Sequence, residues 1–227
     1  MPEAPTLNVL YRDEHLIAID KPSGLVVHRG WANDEQVVMT LVRDAIGSWV
    51  YPVHRLDRGT SGVLLLALSP ESARELCGRF ERGEIVKKYW ALVRGTPGEA
   101  QEIDHPLRPE NGGPAQRALT HARKLAQYGR YAWLEAAPST GRQHQIRRHL
   151  KHVSCPIIGD VRYGKGEHNR LFRERYGLHR LALHACSLLT RDLSTGAELR
   201  IEAPLPADLS ATLAALADGA SAAVRHE

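Results

Sequence analysis

Hydrophobic and polar residues alternate along this chain in a mixture of strand-like and helix-like patterns. Short apolar or alternating runs predict strands, whereas apolar residues at every third or fourth position predict helices. Strands are predicted at residues 8–12, 15–20, 63–68, 86–93, 119–125, 131–136, 181–188 and 199–201. Helices are predicted between 33 and 47, between 69 and 83, from about 139 onward, and after 208. Because the two kinds of element do not alternate strictly, the order predicts an α+β fold with a large mixed or antiparallel sheet.

Local signals place several element boundaries. Asn33 is the predicted N-cap of the first helix, and Gly47 its predicted end. Pro70 directly after a serine favours the start of the second helix, because proline is accepted at the first helical position. Ser139 and its neighbouring threonine predict the start of a third helix. The segment 96–115, rich in proline, glycine and acidic residues, is predicted to be a loop or a crossing between subdomains.

Composition limits the class of protein. The 227 residues are 43% hydrophobic and 25% charged, which is typical of a globular chain. A formal net charge of +4 and a pI near 9.1 permit a polyanionic partner. The three cysteines, Cys77, Cys155 and Cys186, are far apart and form no CxxC pair, which indicates a reducing compartment. With no signal-like N-terminus and no apolar run of about 18–20 residues, we expect a soluble cytoplasmic protein without a membrane partner.

One carboxylate has an unusual charged setting. Residues 54–62 read HRLDRGTSG, so Asp57 lies between Arg55 and Arg58, ahead of a turn and an apolar strand. Opposite charges nearby favour the ionised carboxylate, which suits nucleophilic or electrostatic chemistry better than proton donation. The alternative is a surface ion pair at the entrance of a strand.

A second charged segment is the most basic of the chain. Residues 140–152, TGRQHQIRRHLKH, contain four Arg or Lys, three His and no acidic residue. In a helix, this segment would present its cations to phosphate groups, or it is simply a solvated basic face. His144 and His149 lie about 140° apart around a helix, so they do not share a metal-binding face. No metal site is therefore expected.

An aromatic residue near a strand start is the third candidate. Tyr89 follows two lysines in the segment 87–90, KKYW, which suits stacking on bases. Strand alternation turns it away from Lys88 and Trp90, so a half-buried core residue is the alternative. The chain contains no GxGxxG, no P-loop and no Gly-x-Ser-x-Gly, which argues against a phosphate-cradling loop and a serine hydrolase.

Five ordered motifs resemble a known enzyme family. Segment 54–62 is similar to the signature of the RluA-type pseudouridine synthases. The other four motifs follow in the family's order: 20–28 (DKPSGLVVH), 88–95 (KYWALVRG), 140–147 (TGRQHQIR) and 156–160 (PIIGD). The likeness covers about residues 7–205. Segments 147–152 and 168–174 are similar to the tRNA pseudouridine synthase C subgroup.

The resemblance implies a domain organisation. We expect a flexible N-terminus at 1–6 and a single catalytic domain at 7–205, in which the sheet, helices and loops surround a catalytic cleft. No N-terminal S4-like domain is expected. Residues 206–227 are predicted to form a C-terminal helix with a frayed tail.

The resemblance also implies a reaction, the isomerisation of uridine to pseudouridine in structured RNA. Asp57 would be the catalytic carboxylate, which either attacks C1′ of the ribose or helps to remove a ribose proton to give a glycal-like intermediate. Arg142 would pair with Asp57 and hold it ionised. Tyr89 would stack on the uracil and move the C5 proton. Arg55 would fill the gap left when the target nucleotide flips out of the RNA.

Further residues are expected to contact the RNA: His54, Arg58, Thr60, Ile146, Arg147, Arg148 and Lys151. The isomerisation needs no cofactor or metal, and no obligate protein partner is implied, so we expect a monomer. A tRNA is the predicted substrate, with ribosomal RNA as the alternative. A non-catalytic RNA-binding module would not need Asp57, Tyr89 and Arg142 together, and a nucleosidase would usually need a second carboxylate.

Overall fold

The structure, a computed structural model, describes residues 7–28 and 37–224. Within them, ten strands belong to one mostly antiparallel sheet, accompanied by five helices, which confirms the predicted α+β class. The strands are β1 (Asn8–Arg12), β2 (Leu16–Lys21), β3 (Tyr51–Pro52), β4 (Ser61–Ala67), β5 (Val86–Arg94), β6 (Ala100–Asp104), β7 (Leu119–Tyr128), β8 (Tyr131–Pro138), β9 (Leu183–Arg191) and β10 (Glu198–Glu202). The helices are α1 (Val38–Ile46), α2 (Pro70–Arg82), α3 (Gln145–His152), α4 (Gly166–Tyr176) and α5 (Ala207–Val224).

The chain divides into two compact units. The first unit comprises Met1–Lys87 with Ala185–Pro204, and the second comprises Lys88–His184 with Leu205–Glu227. The predicted domain at 7–205 thus contributes to both units. The predicted N-cap Asn33, the N-terminal residues 1–6 and the last residues of the predicted tail lie outside the described residues.

The first unit is built on β4, whose seven residues are all buried. Its strands follow the order β1-β2-β4-β9, with β3 on β4 and β10 on β9. Helix α2 packs Leu76 into the core of this unit. Ser69 caps that helix by accepting a hydrogen bond from the backbone N–H of Ser72, and the helix ends at Gly83 in the left-handed conformation, as predicted.

The second unit contains the antiparallel order β5-β8-β7-β6. Its core joins the inner faces of β5 and β8 to the fully buried side chain of Leu150 on α3 and that of Phe172 on α4. Tyr131 on β8 packs edge-on against Phe172, and its hydroxyl lies 2.9 Å from Nδ1 of His168. These contacts fix α4 against the sheet of this unit.

In the second unit, two predictions were wrong and one helix was missed. The segment 96–115 is not entirely loop, because it contains the edge strand β6, which places only Ile103 in the core and leaves its other four residues exposed or half-buried. The third helix begins at Gln145 rather than near Ser139, because Thr140 is held in a turn by hydrogen bonds to the backbone of Leu119 and to the side chain of Gln145. Helix α4 was missed, since its sequence is largely charged and shows little apolar periodicity.

No helix in the described part of the chain combines the length and the apolar character needed to cross a membrane.

Candidate active site

Asp57 lies on a tight turn between β3 and β4 in the first unit. The backbone N–H of Thr60 donates to the carbonyl of Asp57 at 3.0 Å, which closes the turn. Leu56 is buried before the turn, and Thr60 is buried after it, whereas the Asp57 residue itself is half-buried. The turn is therefore anchored by its neighbours on both sides.

A second loop in the same unit holds this turn by its backbone carbonyls. The N–H of Gly24 donates to the carbonyl of Arg58 at 2.8 Å, and the Ser23 hydroxyl donates to the carbonyl of Gly59 at 2.8 Å. Together with the bond that closes the turn, three successive carbonyls, at positions 57, 58 and 59, accept hydrogen bonds. This arrangement fixes the backbone that carries the Asp57 carboxylate.

Lys21 is the centre of this loop and is fully buried, which is rare for a lysine. Its Nζ donates to the carbonyls of Pro22 at 2.8 Å, Leu25 at 2.7 Å and Arg58 at 3.3 Å. The ammonium group therefore ties the 21–25 loop to the Asp57 turn. Sequence reasoning assigned it no role, although a lysine at the end of an apolar strand was the available signal.

Gly62, the second residue of β4, has a conformation that only glycine adopts easily. Its φ is +106°, and a Cβ atom placed there would lie 2.2 Å from the carbonyl oxygen of Ala185. The close approach of β4 and β9 within the first unit therefore requires a glycine in the HRLDRGTSG motif.

The residues that flank Asp57 differ in their surroundings. Arg55 and Arg58 are exposed. His54 accepts a hydrogen bond at Nε2 from the backbone N–H of Leu65 at 2.9 Å, and its ring stacks on Phe80 at 4.7 Å. Burial, and then the charge of Lys87, lower the pKa of His54 to about 3. These contacts favour a structural role for a neutral His54 over the predicted contact with RNA.

Tyr89 lies on β5 in the second unit, opposite Ala136 of β8. It is half-buried and packs against the core of this unit. Lys88, its neighbour, forms an ion pair with Glu135 at 3.3 Å. Trp90 stacks on His184 with ring centroids 5.9 Å apart. The tyrosine ring thus has one side supported by the protein core.

The basic segment 140–152 is held mainly by its own side chains. Gln145 accepts from the backbone N–H of Arg142 and donates to the carbonyl of Leu119. His144, at φ 54°, is one of two non-glycine residues with positive φ in the described chain, and it precedes the first turn of α3. Arg142 is exposed, and its Nε donates to the carbonyl of Arg117 at 3.1 Å. The turn before α3 is therefore a fixed structure.

The cations of α3 point in different directions. Arg147 is buried and makes two hydrogen bonds to the Asp160 carboxylate, at 2.7 and 2.9 Å. Burial alone would raise the pKa of Asp160, but the bonds from Arg147 and from the backbone N–H groups of Tyr163 and Arg162 hold this pKa below its usual value. The side chains of Ile146 and Arg147 are buried, so that their predicted contact with RNA stays a prediction.

Arg148 and Lys151 remain closer to solvent. Arg148 is half-buried and donates to the carbonyl of Arg108 at 2.9 Å, and Lys151 is exposed, with its Nζ 5.8 Å from the ring centre of Tyr163. Both side chains fit the predicted contact with RNA. Sequence reasoning gave no role to Asp160 and Tyr163, although PIIGD was one of the five motifs.

The predicted residues therefore belong to two separate groups, Asp57 with its flanking residues in the first unit and Tyr89, Arg142 and α3 in the second. No group of three or more His, Cys, Asp or Glu side chains in the described ranges is arranged to hold a metal ion. What the first group offers is a carboxylate on a rigid turn, and what the second offers is an aromatic ring with a basic helix.

Comparisons with known proteins point to the same chemistry. A tRNA pseudouridine synthase C from Vibrio cholerae is 43% identical over 205 residues, which cover 80% of this chain and 84% of the relative. A tRNA pseudouridine synthase C from Salmonella typhimurium is 42% identical over 222 residues, covering 88% and 85%. The solved structure of Human RNA Pseudouridylate Synthase Domain Containing 4 matches with a TM-score of 0.77 and 29% identity, and 92% of each chain is covered.

A family model described as RNA pseudouridylate synthase matches residues 15–152, more than half of the chain. This match includes the Asp57 turn, Tyr89 and the whole basic segment, and together with the relatives it confirms the resemblance to the family. The chain belongs to the RNA pseudouridylate synthase family.

Proposed function

We propose that this protein converts specific uridines of tRNA to pseudouridine, with Asp57 as the catalytic carboxylate. The observation that carries the proposal is the rigid turn, in which three successive carbonyls at 57–59 accept hydrogen bonds and so fix the Asp57 backbone. A fixed carboxylate reaches the reacting sugar carbon without reorganisation, which lowers the entropic part of the barrier.

The isomerisation breaks the bond between N1 of uracil and C1′ of the ribose and forms a bond between C5 and C1′. The detached base turns, its C5 loses a proton, and N1 gains one, so no oxidant or reductant is consumed. Asp57 serves this reaction as an anion, either by attacking C1′ to give an ester or by removing a ribose proton to give a glycal-like intermediate. Both routes need an ionised carboxylate.

Tyr89 and Arg55 assist the reaction, Tyr89 by contact with the uracil base and Arg55 by filling the space that the flipped nucleotide leaves in the RNA. The half-buried ring of Tyr89 is supported from behind by the core of its unit, so that its other side suits stacking on uracil. Its hydroxyl group both donates and accepts hydrogen bonds, which suits transfer of the C5 proton. Arg55 is exposed, as a side chain must be to enter the RNA stack when the target nucleotide flips out at a cost of a few kcal/mol.

One observation supports tRNA as the substrate, and two more support an RNA substrate in general. The relatives from Vibrio cholerae and Salmonella typhimurium carry tRNA in their names. The net charge of +4 favours a polyanion. Arg148 and Lys151 of α3 are accessible to phosphate groups. Ribosomal RNA is the substrate class to be tested second.

The experiment measures release of tritium from tRNA transcripts labelled at C5 of uracil. Formation of the C5–C1′ bond must expel that hydrogen, whereas binding alone, or cleavage to uracil, does not. We expect release by the wild-type protein and less than about 1% of that rate from Asp57→Asn, because the amide is not an anionic nucleophile or base. Release by Asp57→Asn at more than a few per cent contradicts the role of Asp57.

The control is Asp44→Asn, which removes a carboxylate from an exposed ion pair on α1 and leaves release unchanged. If the wild-type protein releases no tritium from tRNA, the same assay on ribosomal RNA fragments decides the substrate class. No release from either RNA contradicts the proposed reaction.

The proposal includes the working state of the protein, a cytoplasmic monomer that needs neither metal nor cofactor. Tritium release in excess EDTA, together with a size-exclusion mass near the 25.2 kDa of one chain, is the expected result. Loss of release in EDTA, or a mass of two chains, contradicts this part.

A further inference from the structure

A basic pocket in the second unit lies where the 105–117 loop meets the turn before α3. Its volume is about 140 Å³. The residues that line it are Leu107, Arg108, Pro109, Gln116, Gly141, Arg142, Gln143 and Arg148. Most of the 105–117 loop lies in the segment 96–115, which the sequence predicted to be a loop or a crossing between subdomains.

The pocket is held together by hydrogen bonds between arginine side chains and loop carbonyls. Arg148 Nη1 donates to the carbonyl of Arg108 at 2.9 Å, and Arg142 Nε donates to the carbonyl of Arg117 at 3.1 Å. The loop is closed on itself by two backbone hydrogen bonds between Leu107 and Gln116, at 2.9 and 3.0 Å. Both arginines are therefore fixed in position without being neutralised by these contacts.

The residues that line the pocket include three arginines and two glutamines, but no acidic residue. The acidic residue of the loop, Glu110, faces other partners. Its Oε1 lies 2.8 Å from Arg162, 3.1 Å from the Tyr163 hydroxyl and 3.2 Å from His144 Nδ1. The pocket is thus a concentration of positive charge, and its acidic neighbour is already engaged.

We infer that this pocket binds one phosphodiester group of the substrate RNA. The inference rests on the proposed function and deepens it, because it assigns Arg142 to the RNA backbone instead of to Asp57. The guanidinium group forms paired hydrogen bonds with phosphate oxygens, and the carboxamides of Gln116 and Gln143 add neutral donors. The 105–117 loop then acts as a wall of the RNA-binding site.

Other ligands fit the pocket less well. A nucleobase needs an aromatic or other flat apolar surface for stacking, and no aromatic side chain lines this pocket. A metal ion is repelled by three guanidinium groups. Inorganic phosphate shares the chemistry of the phosphodiester, so the experiment must separate these two sources.

The first experiment measures the Kd of tRNA and the kcat of tritium release for Arg108→Gln and Arg148→Gln. We expect the Kd to rise about tenfold for each variant, because a charged hydrogen bond is lost, while kcat stays within about twofold. The slope of log Kd against log salt concentration should decrease by about 0.7 to 0.9. Arg173→Gln, an exposed arginine on α4, is the matched control and should change neither quantity.

The second experiment identifies the phosphate. Single phosphates of the tRNA around the modified uridine are replaced, one at a time, by neutral methylphosphonates. At one position, the methylphosphonate should weaken binding to the wild-type protein about tenfold. The same replacement should hardly weaken binding to Arg148→Gln, because the neutral phosphonate and the substitution of Arg148 remove the same contact. The absence of any such coupled position overturns the inference, and so does a pocket that binds inorganic phosphate but shows no coupling to the RNA.

The assignment of Arg142 has its own test. Arg142→Gln should raise the Kd by a larger factor than it lowers kcat, whereas a fall in kcat at constant Kd would mean that Arg142 acts on Asp57 and would overturn the assignment. RNA binding is measured separately from tritium release. Binding of RNA by the pocket can therefore be tested even if the protein releases no tritium. An RNA that binds through the pocket without releasing tritium contradicts only the proposed function.

Discussion

The Asp57 turn and the basic segment 140–152 are both charged, yet they are stabilised in opposite ways. The turn is held by hydrogen bonds to its backbone carbonyls, from Lys21, Ser23 and Gly24. In the basic segment, charged side chains themselves make the stabilising contacts, as in the pair of Arg147 with Asp160. The backbone that carries Asp57 is therefore fixed through its carbonyl groups in the first region, whereas in the second region part of the positive charge counted from the sequence is paired inside the protein.

In the first region, the largest loss of stability is expected for a substitution of Lys21. We expect Lys21→Met to lower the free energy of unfolding by about 5 kcal/mol, because three hydrogen bonds from a buried ammonium group are lost. Urea unfolding and tritium release, which should fall with the loss of the fixed turn, are the measurements. Lys165→Met, at an exposed position, is the control. Wild-type stability and turnover in Lys21→Met would mean that the ammonium group does not hold the turn.

In the second region, the largest loss of stability is expected for Arg147→Met. It leaves the buried carboxylate of Asp160 without its guanidinium partner, which should cost about 4 kcal/mol at pH 7. Urea unfolding measures this loss, with Arg173→Met as the exposed control. A loss below about 1 kcal/mol, as at a surface pair, would contradict the burial of this charge pair.

The contribution of the Arg147–Asp160 pair to stability depends on pH. The pKa of Asp160 is depressed in the folded protein, so its contribution is present above the unfolded value near 3.8 and is lost as pH falls through the folded value. In Arg147→Met the carboxylate is buried without its partner, which favours protonation. The difference in stability between the two proteins should therefore shrink as the pH is lowered from 7 to 4.

The two regions also differ in how far the sequence predicts them. The ends of α2 follow from Ser69, Pro70 and Gly83, because capping is local. The turn at Asp57 likewise depends on residues that are adjacent in sequence, because the backbone N–H of Thr60 closes it. Local patterns are therefore sufficient for the ends of α2 and for the position of the Asp57 turn.

The basic segment could not be predicted in the same way, because its partners are distant in sequence. Arg148 donates to Arg108, 40 residues earlier, and Arg142 to Arg117, 25 residues earlier. Whether an arginine is buried or presented to RNA depends on those tertiary contacts and not on the charge pattern. The edge strand β6 was missed for a similar reason, since only Ile103 of this strand enters the core.

A further prediction concerns His54, which precedes the Asp57 turn and is a neutral hydrogen-bond acceptor. Its folded pKa of about 3 is lower than the usual value of 6.5, so the unfolded chain binds the proton first as pH falls. Stability should therefore decrease by about 1 kcal/mol per pH unit from pH 6 to pH 4 on account of this residue. His54→Gln should lose this part of the slope, and the exposed His179→Gln should keep it. Equal slopes in wild type and His54→Gln would contradict the assignment.

The smallest expected effect comes from Ser23→Ala, which removes one neutral hydrogen bond to the turn and leaves the others in place. The Ser23 hydroxyl donates to the carbonyl of Gly59 at 2.8 Å, so the loss should be about 1 kcal/mol in the free energy of unfolding. If the backbone scaffold positions Asp57, kcat should fall several-fold while the Kd of tRNA stays constant, because the RNA contacts of the basic segment are untouched. Ser48→Ala, at an exposed serine, is the control. A rise in Kd with unchanged kcat would mean that this loop serves RNA binding, and that the two regions do not divide chemistry and binding between them.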